Sequence, residues 1–128
     1  MKHIFIFNGG AATGKTKLCN LMSEADDLYV AGINARVSLD GVVVKDNFTF
    51  YDYSKNKVNK EKIRNFFNII ENGIQLKYTD NRIYPHSCIL VCMVNKNAIN
   101  LLIDYIEDYY DAYKKERPNI SYVEFNRM

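Results

Sequence analysis

No apolar run in the sequence approaches the roughly 18 residues needed to span a bilayer, which predicts a chain that does not enter the membrane. The opening Met1-Lys2-His3, followed by Ile4 to Phe7, is too short for a signal-peptide core. Neither sign of charge dominates. Seventeen basic and 15 acidic residues give a formal net charge of +2, far from the clustered excess that announces nucleic-acid binding. Cysteine is scarce: Cys19, Cys88 and Cys92 lie in apolar surroundings, without the paired spacing of a zinc site or a disulfide framework. A reduced, cytoplasmic compartment is the expectation. Repeats and low-complexity segments are absent. The 128 residues are too few for two ordinary domains, but with 48% apolar residues they are enough for one core, so residues 1–128 read as a single domain.

What is present is an alternation of strand and helix signals. Ile4-Phe5-Ile6-Phe7 is a continuous apolar run stopped by Asn8-Gly9-Gly10, the pattern of a strand buried on both faces. Leu18, Leu21, Met22 and Ala25 then recur at helical spacing, predicting a helix from about Lys15 to Glu24. Between Leu28 and Gly41 the signal weakens, leaving Tyr29-Val30 and Val37 to Leu39 as short strand pieces separated by Gly32 and Asn34. Phe48-Thr49-Phe50-Tyr51 predicts a strand closed by Asp52. Asn59 is placed to cap a helix in which Ile63, Phe66, Phe67, Ile70 and Ile74 share one face, with Gly73 at its end.

Ile89 to Val94 is a second uninterrupted apolar run, expected beside the first and ended by Asn95. The longest helix runs from Ile99 past Tyr109 to Tyr113, and Ile120 to Phe125 predicts a last strand. With no hairpin signal between the strong strands, the class is α/β, three-layered, with right-handed crossovers and a mostly parallel sheet of about five strands. Ligands of such sheets sit beyond the carboxyl ends of the strands, where Gly9 to Thr16, Asp52 and Asn95 would emerge.

Gly9-Gly10-Ala11-Ala12-Thr13-Gly14-Lys15-Thr16 fits the spacing G-x-x-x-x-G-K-S/T at every position. Chance matches are expected in well under about 1% of chains this size. The glycines let backbone N–H groups turn inward around phosphates, Lys15 supplies a point charge, and the Thr16 hydroxyl is a ligand for Mg²⁺. The helix that follows adds its positive end. A nucleoside triphosphate, with ATP and Mg²⁺ as the cofactors, is the predicted ligand. A triphosphate site also needs a hard oxygen ligand for the metal at the end of a neighbouring strand. Asp52 is the candidate and Asp40, before Gly41, its rival. Asn95 reads either as a residue that orients the attacking water or as an ordinary cap for the next helix.

With these residues placed, the chain resembles a minimal P-loop ATPase domain of the AAA+ type, in particular the compact superfamily 3 helicase domains of small viral and plasmid replication proteins. Gly9 to Thr16 looks like the Walker A loop, Phe48 to Asp52 like the Walker B strand, and Val94-Asn95-Lys96 like the sensor strand. The resemblance implies ATP hydrolysis with Lys15, Asp52 and Asn95 in catalytic roles and Thr16 and Asp52 on the metal. It also implies protein partners, a ring-like homo-oligomer and single-stranded nucleic acid, for which Lys55, Lys57, Lys60 and Lys62 make a basic stretch. The family's paired acidic residues are reduced here to one, in Tyr51-Asp52-Tyr53, with Glu61 or Glu71 as substitutes. Arg82, Arg117 and Arg127 are the candidates for an arginine finger. Two other functions fit the loop: a small nucleoside or nucleotide kinase, and a nucleotide-responsive module that does not turn over and docks partners through Tyr109, Tyr110 and Tyr113.

Overall fold

The computed structural model describes residues 1–10, 14–22, 28–33, 45–52, 54–75, 78, 80–113 and 115–126. Strand β1 (His3–Gly9) leads into helix α1 (Lys15–Met22), and β2 (Leu28–Ile33) and β3 (Lys45–Phe48) follow. A small hairpin, β4 (Tyr51–Asp52) with β5 (Lys57–Val58), precedes helix α2 (Lys60–Glu71). A second hairpin, β6 (Ile74–Gln75) with β7 (Arg82–Ile83), precedes β8 (Ser87–Cys92), helix α3 (Lys96–Ala112) and β9 (Asn119–Phe125).

Five strands form one sheet in the order β3-β2-β8-β1-β9, and every pairing in it is parallel. The two apolar runs lie side by side as expected, with Ile4 opposite Cys88 and Phe7 opposite Val91. Because side chains alternate along a strand, β1 sends Ile4 and Ile6 to one face and Phe5 and Phe7 to the other. Helices α2 and α3 cover the first face, and α1 covers the second through Leu18, Cys19 and Met22. The chain moves from β1 over β8 to β2 by way of α1. It returns the opposite way, from β8 over β1 to β9, by way of α3 on the other face. Opposite directions on opposite faces are what a single crossover handedness requires.

Helix α2 starts where Asn59 accepts a hydrogen bond from the Lys62 amide at 3.2 Å, and it ends just before Gly73. From its buried stripe, Ile63, Phe66, Phe67 and Ile70, the Phe67 ring packs against Tyr109 and Tyr110 of α3, with centroids 5.9 and 6.0 Å apart. Such aromatic pairs add roughly 0.5–1.5 kcal/mol each beyond the area they bury. The hydroxyl of Tyr110 donates to Glu71 at 2.6 Å, and the same carboxylate faces the Met1 amino group and Lys115.

Three sequence expectations change. Leu28–Ile33 is a full strand at the heart of the sheet, with all but its first residue buried, rather than fragments broken at Gly32. Between β8 and β3 the small Ala31 and Gly32 simply fit. Phe48 to Asp52 is not one central strand: β3 ends at Phe48 and pairs with β2, whereas Tyr51-Asp52 folds into the β4–β5 hairpin outside the main sheet. The two hairpins themselves have no counterpart in the sequence reading. Val37 to Leu39, with Asp40, lies outside the described residues, as do Tyr53, Arg127 and the end of the first predicted helix.

Candidate functional site

Adjacent strands β1 and β8 send their following helices to opposite faces, so a crevice opens at their carboxyl ends. In open α/β sheets such a switch point is where ligands bind. The loop from Gly9 leaves β1 there, and Val94-Asn95 leaves β8 there. Asn8, only 5% exposed, ties the two together: its Nδ2 donates to the Val94 carbonyl at 2.9 Å and its Oδ1 accepts from the Val94 amide at 3.1 Å. A longer contact of 3.4 Å runs from Nδ2 to the Tyr122 hydroxyl on β9. Sequence reading treated Asn8 only as the residue that stops an apolar run. The signal was there, a lone amide between a buried strand and a glycine pair, but its partner is 86 residues away.

Two glycines shape the loop for separate reasons. A Cβ on Gly9 would lie 2.3 Å from the backbone oxygen of Phe125, so β9 runs flush against this position. Gly14 has φ +93 with open space around it, so there the demand is on the torsion alone. Lys15 follows, 7% exposed, and its Nζ donates to the carbonyls of Gly9 at 2.6 Å and Gly10 at 2.5 Å. The ammonium is thus folded back inside the loop that its sequence spacing defines. Burial pulls its pKa below the ordinary lysine value, against the opposing pull of Cys92 and Cys19. Burial likewise pushes the Cys19 thiol up to about 11 and raises Cys88 and Cys92 further, which removes thiolate chemistry at neutral pH.

Asn95 caps α3, its Oδ1 accepting from the Ala98 amide at 2.8 Å, while its Nδ2 donates to the Tyr51 hydroxyl at 2.8 Å. Both ends of the amide are therefore engaged, as the capping alternative expected. Tyr51 in turn donates to Asn56 in the hairpin loop, so it links the crevice to β4–β5. Asp52 is exposed. Its Oδ1 accepts from the Ser54 amide at 2.9 Å, the Ser54 hydroxyl at 2.6 Å and the Lys55 amide at 3.3 Å, and these bonds hold its carboxyl below the usual range.

The structure brings Gly9, Gly10, Gly14, Lys15 and Asn95 to the crevice, whereas Asp52 sits in its own turn on the hairpin. Ala11, Ala12 and Thr13, and the side chain of Thr16, lie outside the described residues. Among the described residues no cluster of three His, Cys, Asp or Glu side chains is arranged to hold a metal ion, and no helix is long and apolar enough to cross a membrane. Glu71, a candidate second carboxylate, is committed to Tyr110 and Lys115, and Arg117 is clasped by Glu107 and Asp111. Set beside known proteins, the chain matches no protein-family model, no curated protein and no solved structure.

Proposed function

We propose that the chain binds a nucleoside triphosphate, with its phosphates in the loop from Gly9 to Thr16 at the β1–β8 crevice, in the manner of a P-loop ATPase. One observation carries the reading. Lys15, the lysine of a complete G-x-x-x-x-G-K-S/T match, holds its ammonium against the Gly9 and Gly10 carbonyls at the topological switch point. Phosphate oxygens are better acceptors for that buried cation than carbonyls, because they bring a full opposite charge where a carbonyl brings only a dipole. The start of α1, directly after Gly14, adds backbone N–H groups and the positive helix end to the same spot. ATP is the natural ligand to test. Asp52, the expected carboxylate for Mg²⁺, engages its Oδ1 in its own turn on the hairpin, and no chemical step in this reading is routed through the metal.

The same position of Asp52 favours a second reading, a nucleotide-responsive module with little or no turnover. The relation to replication ATPases, with single-stranded nucleic acid and ring assembly, rests on motif order and is the extension to test last. The first experiment is thermal unfolding of the protein and of Lys15→Ala with increasing ATP and Mg²⁺. At a ligand concentration of 100 times Kd, binding adds about 2.7 kcal/mol to stability. The shift is expected in the wild type and absent in the variant; equal behaviour of the two overturns the reading. Phosphate release, with and without single-stranded DNA, then separates a motor from a module.

A further inference from the structure

Beside the crevice lies a second cavity, of about 850 Å³, between the β4–β5 hairpin and the α2–α3 pair. We propose that this cleft binds a second phosphate-bearing ligand of nucleotide size, a phosphate monoester with an organic body. Its place next to a bound triphosphate rests on the reading given above; the cleft's own chemistry does not.

Charge comes first. Lys55, Lys57, Lys60 and Lys62 all line the cleft, against one carboxylate, Asp52, in a chain whose whole formal surplus is +2. The positive excess of the molecule is therefore gathered around one cavity. Lys60 is partly neutralised by Asp108 at 3.5 Å and lies over the Tyr105 ring, 5.2 Å from its centroid. Lys57 and Lys62 have no ion pair among the described residues. Asp52 is the one opposing charge on the wall: its Oδ1 accepts three hydrogen bonds from the turn that carries Lys55, which keep the carboxyl ionised, and the four lysines outnumber it. The N-terminal end of α2, a 12-residue helix, also opens here: Asn59, Lys60 and Lys62 are on the wall, and Glu61, the acidic residue of that turn, is not.

Size and shape choose among anions. Pockets for small organic ligands run from about 300 to 1,000 Å³ and combine apolar walls with a few placed polar groups. Tyr105 and Val58 supply the apolar wall here. The four lysines line one open cleft within an eight-residue stretch rather than marking a track across the surface, which favours a compact ligand over a polymer. Tyr51 belongs both to this wall and, through Asn95 at 2.8 Å, to the end of β8. Occupancy of the cleft and of the crevice thus meets at one hydroxyl.

The test uses the whole chain and three titrations by calorimetry: the four common nucleoside 5′-monophosphates with inorganic phosphate, ATP, and a short single-stranded oligonucleotide. At least one monophosphate is expected to bind one-to-one and to lose at least about tenfold in affinity in Lys57→Gln/Lys62→Gln, the loss of two charge-assisted contacts. It should bind Lys15→Ala as it binds the wild type. ATP should show the opposite pattern, so failure of ATP alone sinks the crevice reading and leaves the cleft standing. Monophosphate binding that is absent, or that disappears in Lys15→Ala and survives in the double variant, overturns the proposal. So does an oligonucleotide that binds more tightly than any monophosphate and loses that affinity in the double variant. Lys57 and Lys62 are exposed, and matched melting curves confirm that the double variant and Lys15→Ala fold.

Discussion

Replacing Asn8 by alanine would cut the only side-chain clasp described between the carboxyl ends of β1 and β8. Two hydrogen bonds to Val94 disappear, each with a net worth of about 1 kcal/mol. The Val94 amide and carbonyl, part-buried, are left without that partner, which adds roughly another 1 kcal/mol at most. The expected loss is about 2–3 kcal/mol. For 128 residues at about 2.1 cal/mol/K each, the unfolding entropy is roughly 0.27 kcal/mol/K, so the melting temperature should fall by about 7–11 °C. Asn8→Asp sharpens the test. It keeps an acceptor for the Val94 amide but turns a carboxylate toward the Val94 carbonyl and adds negative charge where phosphates are proposed to bind. Stability should fall by a similar amount, and ATP affinity by more than in Asn8→Ala. Urea and thermal unfolding with ATP titration give all three quantities. A melting shift under about 2 °C for Asn8→Ala, or equal ATP affinity in the two variants, would refute the reasoning.

Glu71 gives a prediction in pH. Burial raises its carboxyl, but the Tyr110 hydroxyl, the Met1 amino group and Lys115 outweigh that and hold it below the ordinary 4.5. A carboxyl depressed in the folded state contributes stability that is present above the unfolded value and lost as the pH falls through the folded one. Tyr110→Phe removes one of the depressing contacts, so roughly 1.5–3 kcal/mol should go at neutral pH and the acid-unfolding midpoint should move upward. Urea titrations from pH 3 to 7 decide it, and superimposable acid arms would contradict the assignment. At Asn95, alanine should cost about 1 kcal/mol through the lost cap of α3 and about as much again through the lost bond to Tyr51, whereas aspartate, an equally good cap, should lose only the second. If phosphate release occurs and falls further in Asn95→Asp than this loss of stability accounts for, the Nδ2 donor, not the cap, is the functional group.

The parts of the fold that were legible in sequence are those settled by local pattern. β1 and β8 are continuous apolar runs, and α2 carries its cap at Asn59 and its apolar stripe on one side. The turn that follows β1 is legible because Gly9, Gly10 and Gly14 are local signals, and Lys15 folds back onto the first two of them. What failed depended on partners far along the chain. The stretch Phe48 to Tyr51 favours extended structure throughout, and nothing within it says that Phe48 pairs with Ile33 while Tyr51 pairs with Val58. The polar stretch Ser54-Lys55-Asn56-Lys57 marks a loop there, in which Asn56 takes φ +49, but does not say that the loop closes a hairpin. Asn8 was missed for the same reason: an amide that clasps a backbone 86 residues away looks, in sequence, like the end of a strand.

That long reach also orders events in time. The strand that leads into Gly9 and Gly10 has β8 on one side and β9 on the other, and its hydrogen bonds extend to residues 86 and 118 positions downstream. On a ribosome adding about 5–20 residues per second, β1 waits several seconds or more for both neighbours. Until residues 119–125 emerge, Gly9 lacks the Phe125 backbone it abuts, and the loop has nothing to set its exit from the sheet. The nascent chain should therefore bind the proposed nucleotide only after residues 119–125 have emerged, and that nucleotide would favour the fully paired sheet over any earlier intermediate.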